Sequence, residues 1–223
     1  MDVKLFIKAM IRMALGLAVI AALLFIPAGT TDYWQGWLLI AILFIPMFIA
    51  GLYMMVKKPE LLRKRLNARE EQGEQKTVVA LSALLFIAVF VTAGLNYRFS
   101  WVLMPAWASC AAAVVFLAGY ALYAEVIREN EWLSRTVEVQ EGQKVVDTGL
   151  YGIVRHPMYM STLLMFLSMP LVLGSPVSFL IMLLYIPVIV MRIRNEEQVL
   201  EKGLDGYAEY KKKIRYRLIP FIW

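Results

Sequence analysis

The sequence predicts an all-α fold, a polytopic membrane helical bundle of about six transmembrane helices with a small cytoplasmic portion, and three observations predict it. Hydrophobic residues make up 61% of the 223 and charged residues only 18%, against about 45–50% and about 25% in an average soluble domain. Five stretches free of Asp, Glu, Lys and Arg are long enough to matter, at 13–31, 33–56, 77–97, 99–124 and 157–191. With six spans and the N-terminus inside, only Arg98 of the 23 Lys and Arg residues falls on the outer side, the bias that orients membrane proteins. So apolar a chain does not stay solvated as a disordered one. One cysteine and one histidine exclude a disulfide-stapled scaffold and a four-ligand Cys/His zinc site. The net charge of +6 follows from the positive-inside distribution and needs no nucleic-acid partner.

The opening segment 1–27 has the hydropathy of a signal peptide, but Pro27-Ala-Gly-Thr-Thr31 is a poor cleavage site, so a retained first helix is expected. The first four apolar stretches each fit one crossing of a hydrocarbon core of about 30 Å. Within them Gly94, Ser109, Ala111 to Ala113 and Gly119 are the small residues that let membrane helices approach closely, and Cys110 reads as a small packing residue. The connector 57–76, KKPELLRKRLNAREEQGEQK, sets Leu61, Leu62 and Leu66 at helical spacing and predicts a short helix lying at the headgroups. The last stretch, 157–191, is too long for one span and carries Pro170, Gly174, Ser175 and Pro176 at its middle. That is turn chemistry, and a helical hairpin with arms of roughly 25 Å follows from about 1.5 Å per residue.

The remaining polar residues collect beside this hairpin. Segments 136–140 and 144–148 flank Glu141-Gly-Gln143, a pattern that suits two short extended strands around a turn. Pro157 fits the first turn of the fifth helix, which puts Arg155, His156 and Tyr159 beside a helix N-terminus where anionic groups are favoured. On the outgoing arm Arg192 and Glu196 are four apart and share a face, with Glu197 about 100° further round. Antiparallel arms joined by a tight turn have their free ends side by side, so two charged clusters meet at one edge of the bundle. Ionisable residues gathered at such an edge read as a functional site.

Thr148-Gly-Leu-Tyr151, Arg155-His-Pro-Met-Tyr159, Arg192-Ile-Arg-Asn-Glu-Glu-Gln-Val-Leu200, Tyr207-Ala-Glu-Tyr210 and Leu218-Ile-Pro-Phe-Ile222 follow one another in an order that resembles the isoprenylcysteine carboxyl methyltransferase family. That family is part of a wider group with the phospholipid methyltransferases. The resemblance runs from about Asn130 to the C-terminus. It implies two regions: 1–127, four N-terminal helices with the loop 57–76, and 128–223, a methyltransferase-like region of loop, hairpin 157–191 and tail. It implies an integral membrane enzyme, both termini cytoplasmic, that binds S-adenosylmethionine and methylates a lipophilic small molecule or lipidated substrate among the membrane lipids, without a metal. Carried over by residue, Gly149, Tyr151, Arg155, His156, Tyr159, Glu196 and Glu197 would surround the cofactor. Arg192 and Glu197 would carry the chemistry, Arg192 by orienting an acceptor carboxylate. Two departures stand out: Ser161 occupies the family's usual glycine position, and the run from Glu197 to Tyr207 is one residue shorter, which shifts the register of Tyr207 and Tyr210.

Methyl transfer needs donor and acceptor held in near-attack geometry with water excluded. A carboxylate acceptor is already ionised at neutral pH and needs only a cation to hold it. An amine acceptor, as in phospholipid N-methylation, needs a base such as a glutamate or His156. Two other readings compete: a membrane lipid or sterol reductase with a nicotinamide cofactor, although no GxGxxG follows a strand, and a non-enzymatic transporter or scaffold, which calls for ionisable residues inside the spans.

Overall fold

A computed structural model describes residues 3–66, 73–134 and 137–223. Its helices are α1 (Val3–Ala28), α2 (Trp34–Lys57), α3 (Pro59–Leu66), α4 (Gly73–Phe99), α5 (Ala106–Glu129), α6 (Pro157–Val172), α7 (Pro176–Met182), α8 (Tyr185–Gly203) and α9 (Tyr207–Lys213), with a 3₁₀ turn at Gly149–Gly152. Five stretches are long and apolar enough to cross a bilayer: α1, α2, 75–99 of α4, α5, and 176–203, which joins α7 and α8. The chain is thus polytopic, with α6 as a shorter apolar helix of 16 residues rather than a sixth full-length span.

Successive helices run in alternating directions, so the bundle has two ends. At one end Tyr33 donates its hydroxyl to the Leu173 carbonyl at 2.6 Å, and Asn96 reaches the Gly174 carbonyl at 3.4 Å. The other holds the start of α1, the helix α3, the long connection between α5 and α6, and the tail. The hairpin expected over 157–191 is present, with two differences in detail. Pro170 lies in the last turn of α6 and its carbonyl accepts from Ser175, so the reversal begins only at Leu173. The outgoing arm is broken at Leu183–Leu184 because Pro187 has no N–H to offer the Leu183 carbonyl. There the chain tightens to i−3 bonds, Leu184 to Ile181 and Ile186 to Leu183, before α8 continues.

An apolar core runs from Leu24 and Leu39 through Val89, Phe116 and Met165 to Ile189, Ile193 and Leu218, so α1, α2, α4, α5 and the hairpin pack together. Close approach is set by small residues. A Cβ on Gly119 would stand 2.5 Å from Met165 Cγ and 3.1 Å from the Ser161 carbonyl, which brings α5 against α6 where Ser161 is fully buried. A Cβ on Gly94 would stand 2.6 Å from the Leu24 carbonyl of α1. Cys110, by contrast, is exposed on the outer face of α5; the neighbours Ser109, Ala112 and Ala113 face inward. Helix periodicity separates them, since adjacent residues point about 100° apart.

The connector helix α3 forms where expected, but Leu61 and Leu62 are buried against Met54, Met55, Ile127 and Leu133, so its apolar face caps protein. Residues 67–72 of that connector lie outside the described residues. In the long connection before α6, Gln143 donates to the Gln140 carbonyl at 3.1 Å around Gly142, whose φ is +72°. The turn is there, but among the described residues no strand forms on either side of it, and Arg135 and Thr136 lie outside them.

Gly119→Val overpacks the α5–α6 crossing and is expected to destabilise the protein by about 1–3 kcal/mol. Gly51, with nothing within 4 Å of its added Cβ, is the control: Gly51→Ala leaves stability unchanged or raises it. Thermal unfolding of both variants in detergent checks the contrast.

Candidate functional site

The site is built on the turn that enters α6. Pro157 occupies the first helical position and His156 caps the helix without a side-chain cap bond. The reason is that the tail has claimed this turn: Arg155 N–H donates to the Tyr216 carbonyl at 2.9 Å and His156 N–H to the Arg217 carbonyl at 2.8 Å.

Glu197, on α8, is the point where these pieces meet. It is 3% exposed. One carboxylate oxygen accepts from Arg155 Nε at 2.8 Å and lies 3.3 Å from His156 Nε2; the other accepts from Arg217 Nε at 2.9 Å. The Arg155 guanidinium also donates to the Ile214 and Arg215 carbonyls, at 2.7 and 2.9 Å. These contacts bind α8, the α6 entry and the tail into one unit.

Beside it, on the face of α8 that carries Arg192 and Glu196, lies a second network. Tyr159 donates its hydroxyl to Glu196 and accepts from Arg192 Nε at 2.9 Å. Arg192 Nη1 also donates to Gln75 Oε1 at 3.1 Å, and Gln75 donates to Asn195 Oδ1 at 2.7 Å. Gln75 is fully buried. It comes from the start of α4, at the end of the connector 57–76, where the sequence predicts only a short helix at the headgroups. The signal for it was weak but present, since Gln75 continues the buried stripe of Val78, Val89 and Ala93 on that helix.

A cleft opens between α8, α9 and the connection 130–146, with about 820 Å³ of space counted out to its mouth. Of the residues expected at the site, Tyr151, Arg155, His156, Tyr159, Arg192 and Glu196 line it. Gly149 and Glu197 stand behind its wall. Gly149, at φ +52°, has its free face filled by the Glu129 carboxylate, which accepts from Leu150 N–H at 3.0 Å. A side chain there would collide with Glu129, so the glycine is needed for the backbone that presents Tyr151.

Four tyrosines line the cleft. Tyr151 accepts from Asn130 at 2.8 Å, and Tyr210 donates to the Tyr151 carbonyl at 2.8 Å; Tyr159 is engaged as above. Tyr207 is 4% exposed and its hydroxyl makes no hydrogen bond among the described residues. Burial pushes the Tyr207 phenol well above its ordinary value, and the Glu197 and Glu196 carboxylates add to the rise. Burial raises Tyr210 and Tyr151 in the same direction.

With this geometry in view, comparison with known proteins is informative. Residues 107–205, from α5 to just past the end of α8, match the phospholipid methyltransferase family model. Among curated proteins the chain is similar to the Delta(14)-sterol reductase TM7SF2 of Mus musculus, 33% identical over 91 residues, 40% of this chain and 22% of that protein. It is also similar to the Delta(14)-sterol reductase of Methylotuvimicrobium alcaliphilum, 24% identical over 135 residues, 54% of this chain and 32% of that protein. The chain thus spans a third or less of the length of these relatives. Among solved structures, a eukaryotic intramembrane Ras methyltransferase, isoprenylcysteine carboxyl methyltransferase, aligns with a TM-score of 0.47 and 21% identity, covering 85% of this chain and 74% of that one.

Glu197→Ala leaves Arg155 buried without its counter-charge. Losing one partner of such a pair costs about 3–5 kcal/mol, so the variant is expected to melt well below wild type and its tail beyond Lys213 to become protease-sensitive. A melting curve and limited proteolysis in detergent check both.

Proposed function

We propose that this chain is an integral membrane methyltransferase that uses S-adenosylmethionine at the cytoplasmic face to methylate the carboxylate of a lipophilic acceptor, such as a prenylcysteine-type C-terminus. The observation that carries this reading is the position of Arg192. Its guanidinium lines the cleft at the point where α8 leaves the apolar stretch, inside the region that matches the phospholipid methyltransferase model.

The residues fit the cofactor. The cleft offers a carboxylate, Glu196, to a cationic ligand, a buried phenol without a partner, Tyr207, and apolar walls from Leu133, Val145, Leu200 and Leu204. When bound, S-adenosylmethionine supplies an electrophilic methyl group on a positively charged sulfur. Arg192 holds the acceptor carboxylate, with its orientation fixed by Tyr159 and Gln75; such guanidinium–carboxylate contacts are strong and directional. No general base is required, because the carboxylate is ionised at neutral pH. Tyr159 and Glu196 set the charge beside the reacting centre, and His156 forms the cofactor wall. Glu197 and Gly149 act one step removed, Glu197 by fixing Arg155 and His156, Gly149 by presenting Tyr151.

A second reading is favoured by the sterol reductase relatives: reduction of a sterol-like lipid with a nicotinamide cofactor. That cofactor carries several phosphates, whereas Arg155, one of the cations lining the cleft, is already engaged by Glu197 and two carbonyls. Among the described residues Arg192 and Lys144 are the other cations in the lining.

Calorimetry on the purified protein in detergent is expected to give saturable binding of S-adenosylmethionine. No binding at millimolar cofactor sinks the methyltransferase reading, and saturable binding of NADPH in its place establishes the second. Arg192→Ala is expected to keep cofactor binding and abolish turnover, and His156→Ala to weaken cofactor binding. Membranes incubated with methyl-labelled cofactor and separated into lipid and protein fractions report the acceptor class; label in an N-methylated headgroup overturns the carboxylate assignment.

A further inference from the structure

Helix α1 lies at the edge of the bundle, and only Leu5, Leu24 and Ala28 on it are buried. The cations Lys4, Lys8 and Arg12 recur along it at intervals of four, all exposed, and with Ile7 and Ile11 they border one open groove. At about 100° per residue these five side chains share an arc of about 140°. Leu15, Val19 and Ile26 continue the same exposed face beyond Arg12, so the face is cationic at its start and apolar from there on. At about 1.5 Å per residue the cations span about 12 Å and Val19 lies about 10 Å past Arg12. That distance falls within one leaflet, half of a hydrocarbon core of about 30 Å. Among the described residues neither Lys8 nor Arg12 is ion-paired with a carboxylate. Arg12 donates to the Leu66 carbonyl at the end of α3, which holds its guanidinium at the rim of the groove and uses one of its five donors.

The geometry points to this face of α1 as the binding site for one anionic phospholipid, its phosphate held by Lys8 and Arg12 and its acyl chain laid along Ile11, Leu15 and Val19. Three physical reasons carry it. Like charges four residues apart repel and weaken a helix, and an anion set among them turns that repulsion into attraction. The topological bias of membrane proteins asks for cations on one side of the bilayer but not for three of them on one helical face above an apolar stripe. A phosphodiester suits the pair, since lysine offers a compact charge and arginine a fork that can hold two oxygens, and basic pockets on membrane helices take anionic headgroups. The chain contact is hydrocarbon on hydrocarbon and adds no selectivity, so the charges do the selecting. A second copy of the chain is a poorer occupant, because a symmetric contact through this face sets the same three cations against one another. None of these residues lines the cleft, and the site does not depend on what the cleft binds.

The test offers detergent-solubilised protein an equal mixture of phosphatidylglycerol and phosphatidylcholine with the same chains and counts the lipid retained by mass spectrometry of the intact complex. Wild type is expected to retain one phosphatidylglycerol in preference to phosphatidylcholine, and the preference is expected to fall as salt is raised. Lys8→Gln is expected to weaken that preference about 5-fold, and Lys8→Gln with Arg12→Gln about 25-fold, the contribution of one basic residue each. Lys202→Gln with Lys212→Gln removes the same charge from exposed positions on α8 and α9 and is expected to change nothing. Equal retention of the two lipids by wild type, an unchanged preference in the Lys8 and Arg12 variants, or an equal loss in the Lys202 and Lys212 control overturns the inference. A dimer in place of the lipid-bound monomer gives the face to a second copy and overturns it too. Lys8→Gln alone, at an exposed position, decides the matter should the double variant not fold.

Discussion

A carboxylate taken out of water must be met by charge and hydrogen bonds, and Glu197 is met by two guanidiniums and an imidazole. Arg155, His156 and Arg217 approach its two oxygens at 2.8, 3.3 and 2.9 Å, from the entry to α6 and from the tail. Desolvating charges of this kind is costly enough that a buried ion cluster adds little net stability over apolar packing. Its contribution is geometric. With Glu197 fixed, the end of α8 stands beside the α6 entry, and the tail is laid along residues 155 and 156 by two backbone hydrogen bonds. The walls of the cleft follow from that arrangement.

Around this anchor the molecule separates two tasks. The outer faces of α1, α2 and α5 expose large apolar side chains such as Ile11, Ile49 and Val114, which suits hydrocarbon and needs no specificity. Specific packing is concentrated inside, where Gly119 and Gly94 admit neighbouring helices at distances no side chain tolerates. Membrane helices have little hydrophobic drive to associate and rely on such close contact. The same packing carries α4 to α8, so that Gln75 can hold Arg192. The first four helices are thus part of the site's construction.

On the proposed reading, this construction explains how one cleft serves two phases. Arg192 stands where the apolar stretch ends, within reach of a headgroup-level carboxylate whose chain stays in lipid. The rest of the cleft, toward α9, would then be left to the water-soluble cofactor. Electrostatics at the reacting end is nearly balanced by the pairing of Arg192 and Glu196 through Tyr159. A preorganised, balanced set of dipoles and charges stabilises charge redistribution without having to rearrange.

Much of this was legible in the residues. Uncharged runs located the long apolar helices, because bilayer thickness imposes a length and charge avoids hydrocarbon. Pro157 marked the start of α6, and the spacing of Arg192, Glu196 and Glu197 already separated two faces of α8, one now seen to line the cleft and one to anchor the tail. What the sequence did not disclose depends on contacts between residues far apart in the chain. Nothing local says that Gln75 will meet Arg192, that 216 and 217 will pair with 155 and 156, that Pro187 will break the outgoing arm, or that Cys110 faces outward while Ser109 faces in. Sequence by itself determined that the protein lives in a membrane and which polar residues sit near its edge, since those follow from local hydropathy and period. Only the tertiary structure decided which of those residues are spent on holding the fold and which are left facing the cleft, because a polar group's role depends on whether another part of the chain reaches it.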